Sequence, residues 1–209
     1  MAIEDDALDK LAAEPLAAVS ARIRDGDILL CSGHDPFSRL IGAASKSPWT
    51  HVAFACRWPA VGRIMVFECV QKLGVRAVPL ESFISQSSSG KKPYPGKILL
   101  ARHPAFAHAG GKPATARMTR LADAAVDRLG ERFSGAEVVK IGLRIAVGRF
   151  AVKMPRSLGP RDEYICSEYV AKCFAAAGVD IEWDGLGFIA PCDFANDPAV
   201  KALTQIKTR

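Results

Sequence analysis

A chain of 209 residues, 49% of them hydrophobic and 24% charged, has the size and composition of one globular domain that buries its core without disulfide staples. Apolar runs such as residues 28–31 and 98–101 are far too short to cross a bilayer, which sets aside a transmembrane class. The net charge is +6, and residues 112–161 hold eleven Lys and Arg against four acids. Such a segment attracts phosphates, carboxylates or anionic lipid heads, or is simply a solvated helical face. No nucleic-acid-binding motif accompanies the charge, so nucleic acid is not an expected partner.

The N-terminal stretch MAIEDDALDKLAAEPLAAVSARIRDGD starts acidic and has no basic segment leading into an apolar core. It does not read as a secretory signal peptide, and a cytoplasmic location is the expectation. Residues 7–23 read as a short amphipathic helix, so 1–24 forms an N-terminal helical segment. Gly26-Asp27 is a turn feeding a buried strand over 28–31. One or two helical turns are expected within 34–46, starting at Asp35 before Pro36 and broken at Ser47-Pro48.

Residues 50–57 (THVAFACR) are the next strand, 59–62 a turn, and 63–71 (RIMVFECVQ) a third strand. A short strand over 74–79, a helical turn over 80–85, a surface loop to 95 and a strand over 97–102 complete a strand-rich half. The second half reads as helices. Residues 115–132 carry a stripe of Met118, Leu121, Ala125 and Leu129. Residues 136–152 are a more apolar helix, and 165–177 form a helix closed by Gly178. The expected domain is a single one over 1–209, strands in 25–102, helices in 115–178 and a tail over 179–209. Strands followed by helices make the fold class α+β.

The six cysteines do not suggest a disulfide framework in a chain of this kind. Cys166 and Cys173 would lie about 10 Å apart along one helix, too far for a bridge. Cys31, Cys56 and Cys69 sit in apolar runs and read as small buried hydrophobes. No pair has CxxC spacing and no His stands near in a zinc-like pattern, so no metal or other cofactor is expected.

Three patches carry chemistry: Thr50-His51-Val52-Ala53-Phe54, Val66-Phe67-Glu68-Cys69-Val70 and Tyr164-Ile165-Cys166-Ser167-Glu168. Singly, each has a plain structural use. Together they form a constellation. A hairpin whose paired positions sum to 119 would be centred between Pro59 and Ala60, inside the expected turn, and would set His51 beside Glu68. A carboxylate holding one ring nitrogen leaves the other free for a thiol, the logic of a catalytic triad. Cys166, at a helix start, faces the positive end of the helix dipole, which favours its thiolate and offers backbone N–H groups to an oxyanion.

These patches resemble the permuted branch of the NlpC/P60 superfamily, the YiiX/YebB-like papain-fold amidases. The resemblance also draws on Gly26-Asp27-Ile28-Leu29-Leu30, Phe37-Ser38-Arg39-Leu40-Ile41 and Pro191-Cys192-Asp193-Phe194, so it covers residues 26–194. It implies a circularly permuted papain-like fold, with an antiparallel sheet or barrel packed on helices. The order is His, acid, Cys, whereas ordinary papain-like enzymes place the Cys first.

By position, Cys166 matches the nucleophile, His51 the base, Glu68 its orienting group and Tyr164 an aromatic that lines the substrate pocket. The implied function is that of a thiol hydrolase, an amidase or cysteine peptidase acting on a peptide-like amide, such as a cell-wall-derived peptide. Two alternatives stay open. One is a lipid-directed acyltransferase or thioesterase using the same Cys and His, with the apolar 136–152 segment and its basic flank meeting a membrane surface. The other is a non-catalytic module that binds a peptide or lipid. Oligomeric state is not legible.

Overall fold

Runs of β-branched and aromatic residues separated by short turns form the centre of the molecule. In the computed structural model, which describes residues 3–86, 92–106, 115–133, 163–183 and 189–208, they form β2 (Asp27–Gly33), β3 (His51–Trp58), β4 (Arg63–Val70), β5 (Gly74–Pro79) and β6 (Gly96–Arg102). With β1 (Ala13–Glu14) and β9 (Lys201–Ile206) they make a mixed seven-stranded sheet in the order β1-β9-β6-β2-β3-β4-β5. The two-residue strands β7 (Arg132–Phe133) and β8 (Glu163–Tyr164) pair in parallel beside it.

Both faces of the sheet are covered, which is why the centre of β2, residues 28–31, is continuously apolar and buried rather than alternating. One face packs on α5 (Thr115–Val126), α6 (Cys166–Ala176) and α7 (Pro191–Asn196) through Val52, Phe54, Phe67, Leu121, Phe174 and Phe194. The opposite face, with Ala53, Ala55, Ile64, Val66 and Leu100, packs on α2 (Leu16–Ser20) and α4 (Leu80–Ser85). The remaining helices are α1 (Ala7–Lys10) and α3 (Pro36–Ser45). Among the described residues no helix is long and apolar enough to cross a membrane.

Three local expectations are corrected. The helix over 7–23 is two short helices, α1 and α2, with β1 between them. Pro15 has no N–H to give and pushes Glu14 into extended backbone, where it joins β9 instead. The turns within 34–46 extend to a ten-residue helix, α3. The helix over 115–132 stops at Val126. Gly130 turns the chain with φ 86°, and Leu129 is exposed rather than part of a buried stripe.

The tail over 179–209 contains β9, an inner strand lying between β1 and β6. Its parallel pairing with β1 makes the sheet mixed rather than wholly antiparallel. The expected helix over 136–152 and most of the basic segment lie outside the described residues.

Candidate active site

The site lies where β3 and β4 part. Their ladder runs from Trp58 opposite Arg63 to Phe54 opposite Phe67, so paired positions sum to 121 rather than 119. Continuing this register would set Ala53, not His51, opposite Glu68. His51 is two residues further on, and because side chains alternate with period two it still points to the same face as Glu68. The two meet on the diagonal, with His51 Nε2 and Glu68 Oε2 2.8 Å apart.

β3 and β4 are not paired beyond Phe54 among the described residues, although both strands continue. The Val52 and Ser167 amides instead lie near the Cys166 sulfur and favour its thiolate. Cys166 opens α6, after Ile165 in extended backbone at the N-cap position. The helix is fixed by what it buries: Tyr169, Val170, Cys173 and Phe174. Phe54 on the sheet meets the rings of Tyr169 and Phe174 at 6.2 and 5.8 Å. The buried Ser167 hydroxyl donates to the Ile189 carbonyl at 2.7 Å, tying the helix start to the chain entering α7. There Pro191 opens the helix and the Asp193 carboxylate accepts from the Ala190 N–H at 2.7 Å.

The structure therefore brings together Cys166, His51 and Glu68. The Cys166 thiol and the His51 ring line one cavity and lie close enough to shift each other's proton affinity. Glu68 occupies one ring nitrogen, Nε2, which leaves Nδ1 for the sulfur. The backbone of Tyr164 lies in β8, alongside Phe133; its side chain lies outside the described residues.

Burial and charge compete at all three groups. Burial favours the neutral Cys166 thiol, but the charge and hydrogen bond of His51, with the Val52 and Ser167 amides, hold it below its ordinary value. Burial likewise disfavours the His51 imidazolium, yet Cys166 and Glu68 raise His51 to about 10. Glu68 is 2% exposed. Burial would raise its carboxyl, but His51 and then Arg76 keep it below the usual carboxylate value. The arrangement favours a thiolate–imidazolium pair backed by a carboxylate.

Sequence reasoning missed Arg76. Its Nε and one terminal nitrogen donate to Glu68 Oε1 at 2.9 and 2.7 Å. The signal was present: a hairpin turning around Lys72 sets Glu68 directly opposite Arg76. Phe83 was also missed. It comes from α4 and stacks on the His51 ring at 6.5 Å. Cys166 and His51 open into a cavity of ≈ 370 Å³ whose wall includes Asp35, Lys72, Phe83, Tyr94 and Phe133.

No family model matches the chain, and no curated protein matches it. Among solved structures it is similar to the metalloprotein YiiX from Escherichia coli O157:H7, at a TM-score of 0.60 and 18% identity. The match covers 87% of this chain and 97% of that one. This likeness shows the fold: α+β and YiiX-like.

Proposed function

We propose that the chain is a cysteine hydrolase of the circularly permuted papain-like kind, with Cys166 as nucleophile, His51 as acid and base and Glu68 as orienting anion. The observation that carries this reading is the Cys166 thiol sharing one cavity and a mutual charge interaction with a His51 ring whose Nε2 is held by Glu68 at 2.8 Å. The order His, acid, Cys along the chain, within a YiiX-like fold, supports the permuted arrangement. β1 and β9, from opposite ends of the chain, pair in one sheet, which supports a single domain over 1–209.

The Cys166 thiolate attacks the carbonyl carbon of a peptide-like amide, and the carbonyl electron pair moves to oxygen. The backbone N–H of Cys166, among the first in α6, stabilises this oxyanion. As the C–N bond breaks, the His51 imidazolium passes its proton to the leaving amine and leaves a thioester on Cys166. Neutral His51 then takes a proton from water, and the resulting hydroxide equivalent attacks the thioester. The products are the carboxylic acid and the restored thiolate–imidazolium pair.

YiiX is a metalloprotein, and a metal ion in this chain would need donor atoms free to bind it. Glu68 spends one oxygen on His51 and the other on the Arg76 guanidinium. Among the described residues no group of three His, Cys, Asp or Glu is placed to hold a metal. The cluster does not fit a metal ion, and no step is derived through one.

The test is a hydrolysis panel of dipeptide amides, cell-wall peptides and acyl esters, with Cys166→Ala as control. Cleavage of an amide that disappears in the variant is the expected result. Turnover of acyl esters alone would move the reading to acyl chemistry, and turnover that survives in Cys166→Ala would contradict the reading.

A further inference from the structure

Glu68 and Arg76 are a directly opposed cross-strand pair on β4 and β5. The guanidinium fork engages Oε1 through two bonds, at 2.9 and 2.7 Å, while Oε2 remains for His51 at 2.8 Å. We propose that Arg76 is a positioning residue of the hydrolase site: it locks the Glu68 carboxylate as an anion aimed at His51, and through it holds the imidazolium that faces Cys166. This rests on the cysteine-hydrolase reading above.

A carboxylate that is 2% exposed has little water to stabilise its charge. Without a cation behind it, Glu68 can shed that charge by drawing the shared proton away from His51. The ring then becomes neutral, and the Cys166 thiolate loses its counter-ion and takes up a proton. Two donors from a rigid fork converge on Oε1 while Oε2 is held by His51, so the carboxylate cannot rotate without breaking one of these contacts, and a point charge such as Lys offers no fixed fork.

The other titratable groups around the cluster offer no substitute. Cys31 on β2 and Tyr94 ahead of β6 both respond to the Glu68 charge. Burial, first of all, pushes both of them up and holds them neutral. Cys69 on β4 is likewise held neutral, and it also senses Cys166, Glu131 and Glu168. Asp35 and Lys72 line the same cavity. Arg76 is the cation bonded to Glu68.

Arg76 is not needed to hold β5 in place. The strand keeps a six-pair ladder with β4. On its other side, the Val75 N–H donates to the Glu131 carbonyl at 2.8 Å and the Gly130 N–H donates to the Val75 carbonyl at 3.0 Å.

The experiment measures the iodoacetamide alkylation rate of Cys166 against pH, by peptide mass mapping, in the full-length wild type, Arg76→Gln and Arg76→Lys. In Arg76→Gln the midpoint for thiolate formation should rise by about one pH unit or more. Labelling below the wild-type midpoint then falls about tenfold while labelling well above both midpoints is unchanged. Arg76→Lys should fall between the two, and it decides the matter if circular dichroism shows Arg76→Gln unfolded. Profiles of folded variants that superimpose on wild type, or that drop equally at every pH, overturn the inference and leave the hydrolase reading standing. A wild-type midpoint at the ordinary thiol value overturns both.

Discussion

His51 and Glu68 meet across a diagonal of the β3–β4 hairpin, two residues out of direct register, where the ladder has already opened. A one-residue slip would have sent Glu68 to the opposite face; a two-residue slip preserves the contact. Opening the ladder also frees the Val52 amide to point at the Cys166 sulfur.

The three residues should behave as a unit. Cys166→Ala should abolish amide hydrolysis, and His51→Ala should lower kcat/KM by about a thousandfold or more. The double variant should be no worse than Cys166→Ala alone. Glu68→Gln should cost about a hundredfold, because its single oxygen cannot serve both His51 and Arg76. Steady-state kinetics on the best substrate of the panel checks all four, and additive losses would argue against a shared site.

The pH dependence follows from opposite shifts of the paired groups. His51 is raised from 6.5 to about 10. Its stabilising contribution is complete below its unfolded value and disappears as pH rises through about 10. Cys166 is lowered from 9.0. Its contribution is present above that unfolded value and disappears as pH falls through the lower folded one. The ion pair therefore exists between the lowered Cys166 value and about 10, and hydrolysis should fall on the alkaline side with a midpoint near pH 10 as the leaving-group acid deprotonates. A kcat/KM profile records this, and an alkaline limb near pH 7 would contradict it.

Far from the site, Asp27 is fully buried and bonded by Arg102 through both carboxylate oxygens at 2.6 and 2.7 Å. Arg102→Leu leaves that buried carboxylate without its cation, with only the Arg24 N–H at 2.8 Å beside it, and should destabilise the fold by about 3 kcal/mol. Urea denaturation of the variant should show a lower midpoint with an unchanged slope.

Gly74 starts β5 with φ +72°, and a Cβ there would lie 2.1 Å from the Glu131 carbonyl oxygen. Gly74→Ala must move that backbone or the strand, at a cost of about 2 kcal/mol or more. Because β5 carries Arg76, the same change should also weaken activity beyond the loss of folded protein. Thermal melting together with specific activity separates the two effects.

Much of this was legible in the residues. β2, β3, β4, β5 and β6 follow apolar runs and turn chemistry, and the α6 boundary follows Cys166 and Gly178. The pairing of His51 with Glu68 followed from spacing, although the register did not. A turn of four expected residues leaves the pairing ambiguous by two; in the structure Phe54 faces Phe67, with their rings 5.4 Å apart. What escaped depends on distant partners. β9 is short and half polar, and becomes a strand because β6 and β1 flank it. β1 was hidden in a helical pattern that Pro15 interrupts. Arg76 was missed because its role comes from its opposing position on β5, which places it against a buried carboxylate.

The most direct measurement is limited alkylation with iodoacetamide at pH 6, read by peptide mass mapping across the six thiols. Burial is the leading influence on Cys56 and Cys173, pushed up to about 12, and Cys31 and Cys69 are raised as well. Cys166 alone among these is lowered, and the thiolate is the reacting form. Cys166 should therefore be labelled first by a wide margin, and that selectivity should shrink in His51→Ala. Uniform slow labelling, or faster labelling at Cys31 or Cys192, would contradict an activated nucleophile at Cys166.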